Sequence, residues 1–105
     1  MGRHFAITTL LALIVVSSAA AATNPIAERK REVRAAVVAA ETYYTEHGSY
    51  AGMTLTRLRR SYDRSLRNVV VRNVTRQRYC IGSTLRPFVH YEGPAGPARR
   101  GRCAR

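Results

Sequence analysis

The residues of this chain that could do chemistry are few and unevenly placed. Arg57, Arg59, Arg60, Arg64 and Arg67 form a dense basic run. Such a run attracts DNA, anionic lipid or acidic polysaccharide by nonspecific charge. Beyond Tyr62 it lacks interleaved aromatic rings for base stacking, so a solvated face is the plainer reading. His47 and His90 stand without a nucleophile at an interpretable spacing. The acids Glu28, Glu32, Glu41, Glu46, Asp63 and Glu92 are scattered, with neither a D-x-D-x-D nor an H-E-x-x-H pattern to gather a metal. No phosphate-binding loop, G-x-G-x-x-G or G-x-S-x-G elbow occurs. The expectation is a protein that is not an enzyme, with no catalytic, cofactor or metal residue to nominate. Cys80 and Cys103 remain, and with no Cys-x-x-Cys and no nearby His pair a metal site or a reactive thiol is the weaker reading of them.

The 105 residues carry a formal net charge of +12. Lys30 is the only lysine, an arginine bias that a GC-rich genome also produces. Met1 to His4 carries charge, Phe5 to Val16 is apolar apart from two threonines, and Ala20-x-Ala22 fits a signal-peptidase site before Thr23. Residues 1–22 therefore read as a signal peptide. The alternative is a retained membrane anchor over residues 5–22, slightly short of the ~20 apolar residues that span a bilayer. Both imply export, and in an oxidising compartment an even cysteine count reads as a disulfide between Cys80 and Cys103. Closing that loop stabilises a fold by ~3 kcal/mol in the chain-entropy picture. A domain over residues 23–105 is small enough to need such a staple.

The elements that must position these residues begin with a long amphipathic helix from Asn24 and the turn that closes it at Gly52. Asn24 can cap it, Pro25 suits its first turn, Glu28 favours its positive end and Gly48 supplies a left-handed stop. Ile26, Val33, Val37, Ala40 and Tyr44 recur at helical spacing and predict the buried face, with Val37 and Tyr44 against Val69 or Val71. Tyr50 should tuck back against the helix end. Thr54 begins a short second helix on which Leu55, Leu58 and Tyr62 face inward and the arginines outward. From Asn68 the pattern turns to β: Val69 and Val71 point one way, Val70, Arg72 and Val74 the other. Arg78–Ile81 and Phe88–Tyr91 follow as further strands. The expected class is α+β: a long helix on an antiparallel sheet of about three strands, one short extra helix and a disulfide-bounded C-terminal loop. Residues 93–105 read as an irregular tail.

The run Glu41 to Thr54, E-T-Y-Y-T-E-H-G-S-Y-A-G-M-T, resembles the junction between helix and globular head in bacterial type IV pilins and pseudopilins. An uncharged N-terminal stretch meeting Pro25 and a sheet region bracketed by two cysteines extend the resemblance over most of the chain. It departs from that pattern where His4 stands in place of the usual Gly before the mature start, and Thr9 in place of the Glu at its fifth position. The resemblance implies an exported structural or interaction module whose partners are other pilin-like subunits or cell-envelope components. The residues themselves leave a second class open, a cationic secreted domain binding DNA or an anionic cell-surface polymer through Arg57, Arg59, Arg60, Arg64 and Arg67.

Overall fold

A computed structural model describes residues 24–105. The signal peptide or anchor expected over residues 1–22 lies outside the described residues. The first element, α1, spans Pro25–His47. The Asn24 side chain accepts from the Ile26 amide at 3.1 Å and the Ala27 amide at 3.4 Å, satisfying two orphan donors. At the other end Gly48 turns left-handed at φ 69° and its amide donates to the Tyr44 carbonyl.

The buried stripe of α1 is Arg29, Val33, Ala36, Ala39, Ala40 and Tyr43. It corrects the expected face. Val33 and Ala40 hold, Ile26 and Val37 pack only partly buried at its flanks, and Tyr44 is 41% exposed while Tyr43 is buried. The reason is geometric: adjacent residues point about 100° apart on a helix, so one member of the Tyr43–Tyr44 pair must turn outward. The alanines centre the stripe because small side chains let the sheet approach the helix backbone closely.

Helix α2, Leu55–Ser61, is capped by Thr54, whose hydroxyl accepts from the Arg57 amide at 3.1 Å. It buries Leu58 fully and Leu55 in part. Four antiparallel strands follow in the order β1 (Val69–Arg72), β2 (Tyr79–Ser83), β3 (Val89–Gly93) and β4 (Arg99–Arg100). The expected sheet had three strands, and the expected irregular tail contains the fourth. The two residues of β4 pair with Val89 and His90, too short a run to show a period. Gly101 donates to the Phe88 carbonyl at 2.9 Å, Asn73 to the Ala104 carbonyl at 2.8 Å, and Cys103 is bonded to Cys80. The staple is thus one of several ties on this segment. The architecture is α+β, one long helix, one short helix and a four-stranded antiparallel sheet.

Register assigns the two sheet faces. Val71 lies opposite Ile81, and Ile81 opposite Tyr91, placing all three in one cross-strand row toward α1. With Val33, Ala36, Tyr43, Tyr50, Leu58, Val69, Tyr79 and Val89 they make one core. Cys80 lies opposite both Arg72 and Glu92, so that row lies on the outer face, away from the helix.

Candidate functional site

Three constellations emerge, and none is the α2 strip as a unit. Arg57, Arg59, Arg60, Arg64 and Arg67 are all exposed, but the fold gives them different surroundings. Arg59 turns its Nε onto the Leu66 carbonyl at 2.8 Å, capping the segment after α2. Arg67 lines a surface cleft that also holds Glu28, Glu32 and Arg31, so acids share its surroundings. Arg57 reaches back over the turn at Gly52, where its Nη1 lies against the glycine. Only Arg57, Arg59 and Arg60 lie on the seven-residue helix, and Arg64 and Arg67 follow it, so the five do not form one helical face.

The second constellation lies at the end of α1. Tyr50 donates its hydroxyl to the Glu41 carboxylate, 3.0 Å from Oε1 and 2.8 Å from Oε2, and the Tyr79 hydroxyl donates to the same Oε1. Both rings are essentially closed to solvent, Tyr50 at 1% and Tyr79 at 2% exposed, and they meet edge to face with centroids 4.7 Å apart. Tyr44 and Tyr91 flank them. Burial, and then the carboxylate each phenol faces, raise both tyrosines above the ordinary value of 10.0. Tyr43 donates to the Ala51 carbonyl at 2.7 Å, tying the same turn to the helix from its other side. Gly52 adopts φ 80°, where an added Cβ would meet the Tyr43 hydroxyl and Arg57. The Tyr79 ring lies over Gly93, whose missing side chain makes room for it. The sequence read Tyr50 correctly as the residue that tucks in, but took Glu41 for one of the scattered acids.

Four of the five other acids are likewise engaged. Glu32 meets the buried Arg29 as an ion contact, Nε to Oε1 2.8 Å, and accepts from Asn68 through its second oxygen. Glu28 reaches Arg29 Nη2 at 3.3 Å. Glu46 accepts from the Tyr62 hydroxyl at 2.6 Å, which pushes that phenol up to about 12. Asp63 accepts from the Ser65 amide and hydroxyl, and these bonds hold its carboxyl below the usual range. Both histidines among the described residues bond backbone carbonyls through Nδ1, His47 that of Tyr43 and His90 that of Gly101. Among the described residues no cluster of His, Cys, Asp or Glu could hold a metal ion, and no helix is long and apolar enough to cross a membrane.

The third constellation is on the outer face of the sheet. Arg72, Arg102 and Arg105 line one cleft with Val70, Gly82 and Phe88 beside the disulfide. The Arg102 guanidinium sits 4.0 Å from the Phe88 ring centroid, and Arg86 approaches the same ring at 5.8 Å. A Cβ on Gly82 would stand 3.2 Å from Cys103 Sγ, so the bridge lies across the bare strand there. The sequence did not nominate these arginines. Two signals pointed to them: strand alternation put Arg72 on the same side as Val70, and a Cys80–Cys103 bridge had to carry Arg102 to the neighbouring strand β2. Comparison of the chain with protein-family models, with curated proteins and with solved structures finds no match in any of the three.

Proposed function

We propose that the chain is an exported, non-enzymatic structural or interaction module of the pilin-like kind, a head domain carried on α1. What supports the reading is the weld at the end of that helix. The run that resembles the pilin junction, Glu41 to Thr54, is the run that joins helix to sheet through Glu41, Tyr50 and Tyr79, and through Tyr43 and Ala51. A head displayed on a helix must hold its orientation through that junction. A carboxylate shared by a phenol from the turn and a phenol from the sheet resists rotation about it. The disulfide secures the far segment of the same head. Partners on this reading are further pilin-like subunits or envelope components, with membrane contact only through residues 5–22.

The test is to produce the full-length chain with its own N-terminus in an exporting bacterium and to determine where the recovered protein starts and how its cysteines are paired. A start at Thr23 with Cys80 bonded to Cys103 is the expected result and makes the chain a released head. A start at or near Phe5 makes it an anchored or filament-forming component of the same class. Uncleaved cytoplasmic protein with two free thiols would overturn the reading. The second class, a cationic domain for DNA or an anionic polymer, is not favoured through Arg57, Arg59, Arg60, Arg64 and Arg67, because Arg59 is taken up by the Leu66 carbonyl and Arg67 shares its cleft with Glu28 and Glu32.

A further inference from the structure

The outer-face cleft, about 450 Å³, has the size of a small-ligand site. Its charged side chains are Arg72, Arg102 and Arg105, its hydroxyl-bearing residues are Ser83 and Thr84, and no acidic side chain lines it. Ser83 Oγ is already occupied, accepting from the Val89 amide at 2.9 Å. A lining this rich in donors suits an acceptor-rich anion and suits neutral sugar hydroxyls poorly, since those also need acceptors. Among the described residues only Arg29 forms an ion pair, so the three guanidiniums of the cleft have no carboxylate partner. Like charges gathered without a counter-charge are relieved by a bound anion.

The cleft is also organised in advance. Stacking on Phe88 orients the Arg102 guanidinium and leaves its N–H edge free. The bond from Cys103 to Cys80, with the Asn73 bond to the Ala104 carbonyl, holds the segment that carries Arg102 and Arg105 against the strand that carries Arg72. Gly82 keeps the floor open. Because Arg102 covers the Phe88 ring, the cleft does not offer a bare aromatic face for a nucleobase. Recognition then runs through oxyanions alone. Three guanidinium forks exceed what one carboxylate, with two oxygens and a single charge, can satisfy. A phosphoryl group brings three acceptor oxygens and a charge of roughly −1.5 to −2.

We propose that Arg72, Arg102 and Arg105 form a phosphoryl-binding site on the disulfide face of the sheet. The phosphoryl group comes either from a small phosphate chain or, because each phosphodiester carries one charge and two free oxygens, from successive phosphates of a nucleic-acid backbone acting together. The site stands apart from the helix–head junction, so its failure would leave the pilin-like reading untouched.

Calorimetric titration of the oxidised protein with inorganic tripolyphosphate, and separately with a single-stranded oligothymidylate, tests it. Both titrations are run between roughly 50 mM and 200 mM salt. The expected result is saturable binding that weakens on the order of tenfold for each of Arg72→Gln, Arg102→Gln and Arg105→Gln. The control triple Arg57→Gln, Arg60→Gln and Arg64→Gln removes the same charge as the cleft triple that combines Arg72→Gln, Arg102→Gln and Arg105→Gln, and should change affinity less than about twofold, as surface charges not in contact do. Cys103→Ser keeps every charge but frees the segment, and should also weaken binding. Affinity for tripolyphosphate equal to or above that for the oligonucleotide assigns the site to compact phosphate. Preference for the oligonucleotide with a steeper salt slope assigns it to the phosphodiester backbone. Equal losses in the two triples would reduce the effect to net charge and overturn the proposal, as would no binding of either probe at the lower salt. Circular dichroism of each variant separates loss of the site from loss of the fold.

Discussion

Glu41 is the residue whose removal should tell most about this fold. Glu41→Ala strips the shared acceptor from two hydroxyls that the structure closes off from water, Tyr50 at 1% and Tyr79 at 2% exposed. A buried hydroxyl left without a partner costs about 1–3 kcal/mol, and two are orphaned at once, giving roughly 2–5 kcal/mol with partial rehydration at the half-buried Glu41 position. A domain of this size has total stability of only about 5–10 kcal/mol, so the variant should be close to unfolding at physiological temperature. Glu41→Gln keeps one acceptor oxygen and loses the charge, and should cost about 1–2 kcal/mol. Urea denaturation followed by circular dichroism gives these values, provided the m-value is unchanged. The decisive comparison is a double-mutant cycle. If the clamp is real, Tyr79→Phe should destabilise the wild type but be near neutral in Glu41→Ala, because the hydroxyl it removes is already orphaned. Additive effects of the two substitutions, or a Glu41→Ala cost under about 0.5 kcal/mol, would refute the reasoning.

Gly93→Ala should cost about 1–3 kcal/mol, since its Cβ would fall within the Tyr79 ring and the ring cannot retreat without losing Glu41. Thermal unfolding checks it, and an unchanged Tm would show that the ring is not seated there. At alkaline pH, Tyr50 and Tyr79 keep their protons in the folded chain, because burial and the Glu41 carboxylate oppose the phenolate, while the unfolded chain releases them near 10.0. The folded state then binds more protons, so this contribution is whole below pH 10.0 and is lost as pH rises through that value and beyond. Phenolate absorbance should therefore rise in two phases, the second coinciding with loss of the circular dichroism signal. A single smooth titration of all six tyrosines with the fold intact would contradict this.

Local chemistry made the helices legible. Asn24, Pro25 and Gly48 act within one turn of the backbone groups they satisfy, so the bounds of α1 could be read without knowing what covers it. Thr54 did the same for α2, and the β-branched run after Asn68 announced β1. The cysteine count and the apolar N-terminus pointed to a disulfide through compartment chemistry, and the structure contains that bond. Tertiary contact decided the rest. Which of Tyr43 and Tyr44 is buried depends on where the sheet docks, a matter of a rotation that periodicity alone leaves loose. Glu41 is an ordinary helix acid until Tyr79, far along the chain, arrives over Gly93 to donate to it. The two residues of β4 have no pattern of their own and become a strand only because β3 offers an edge. Arg72 and Arg102 belong to one surface only because a bridge and a strand register bring them there. Signals confined to neighbouring residues are written in the order of the chain. A cleft whose members stand thirty or so positions apart is settled only when loop closure has been overcome and the sheet is paired.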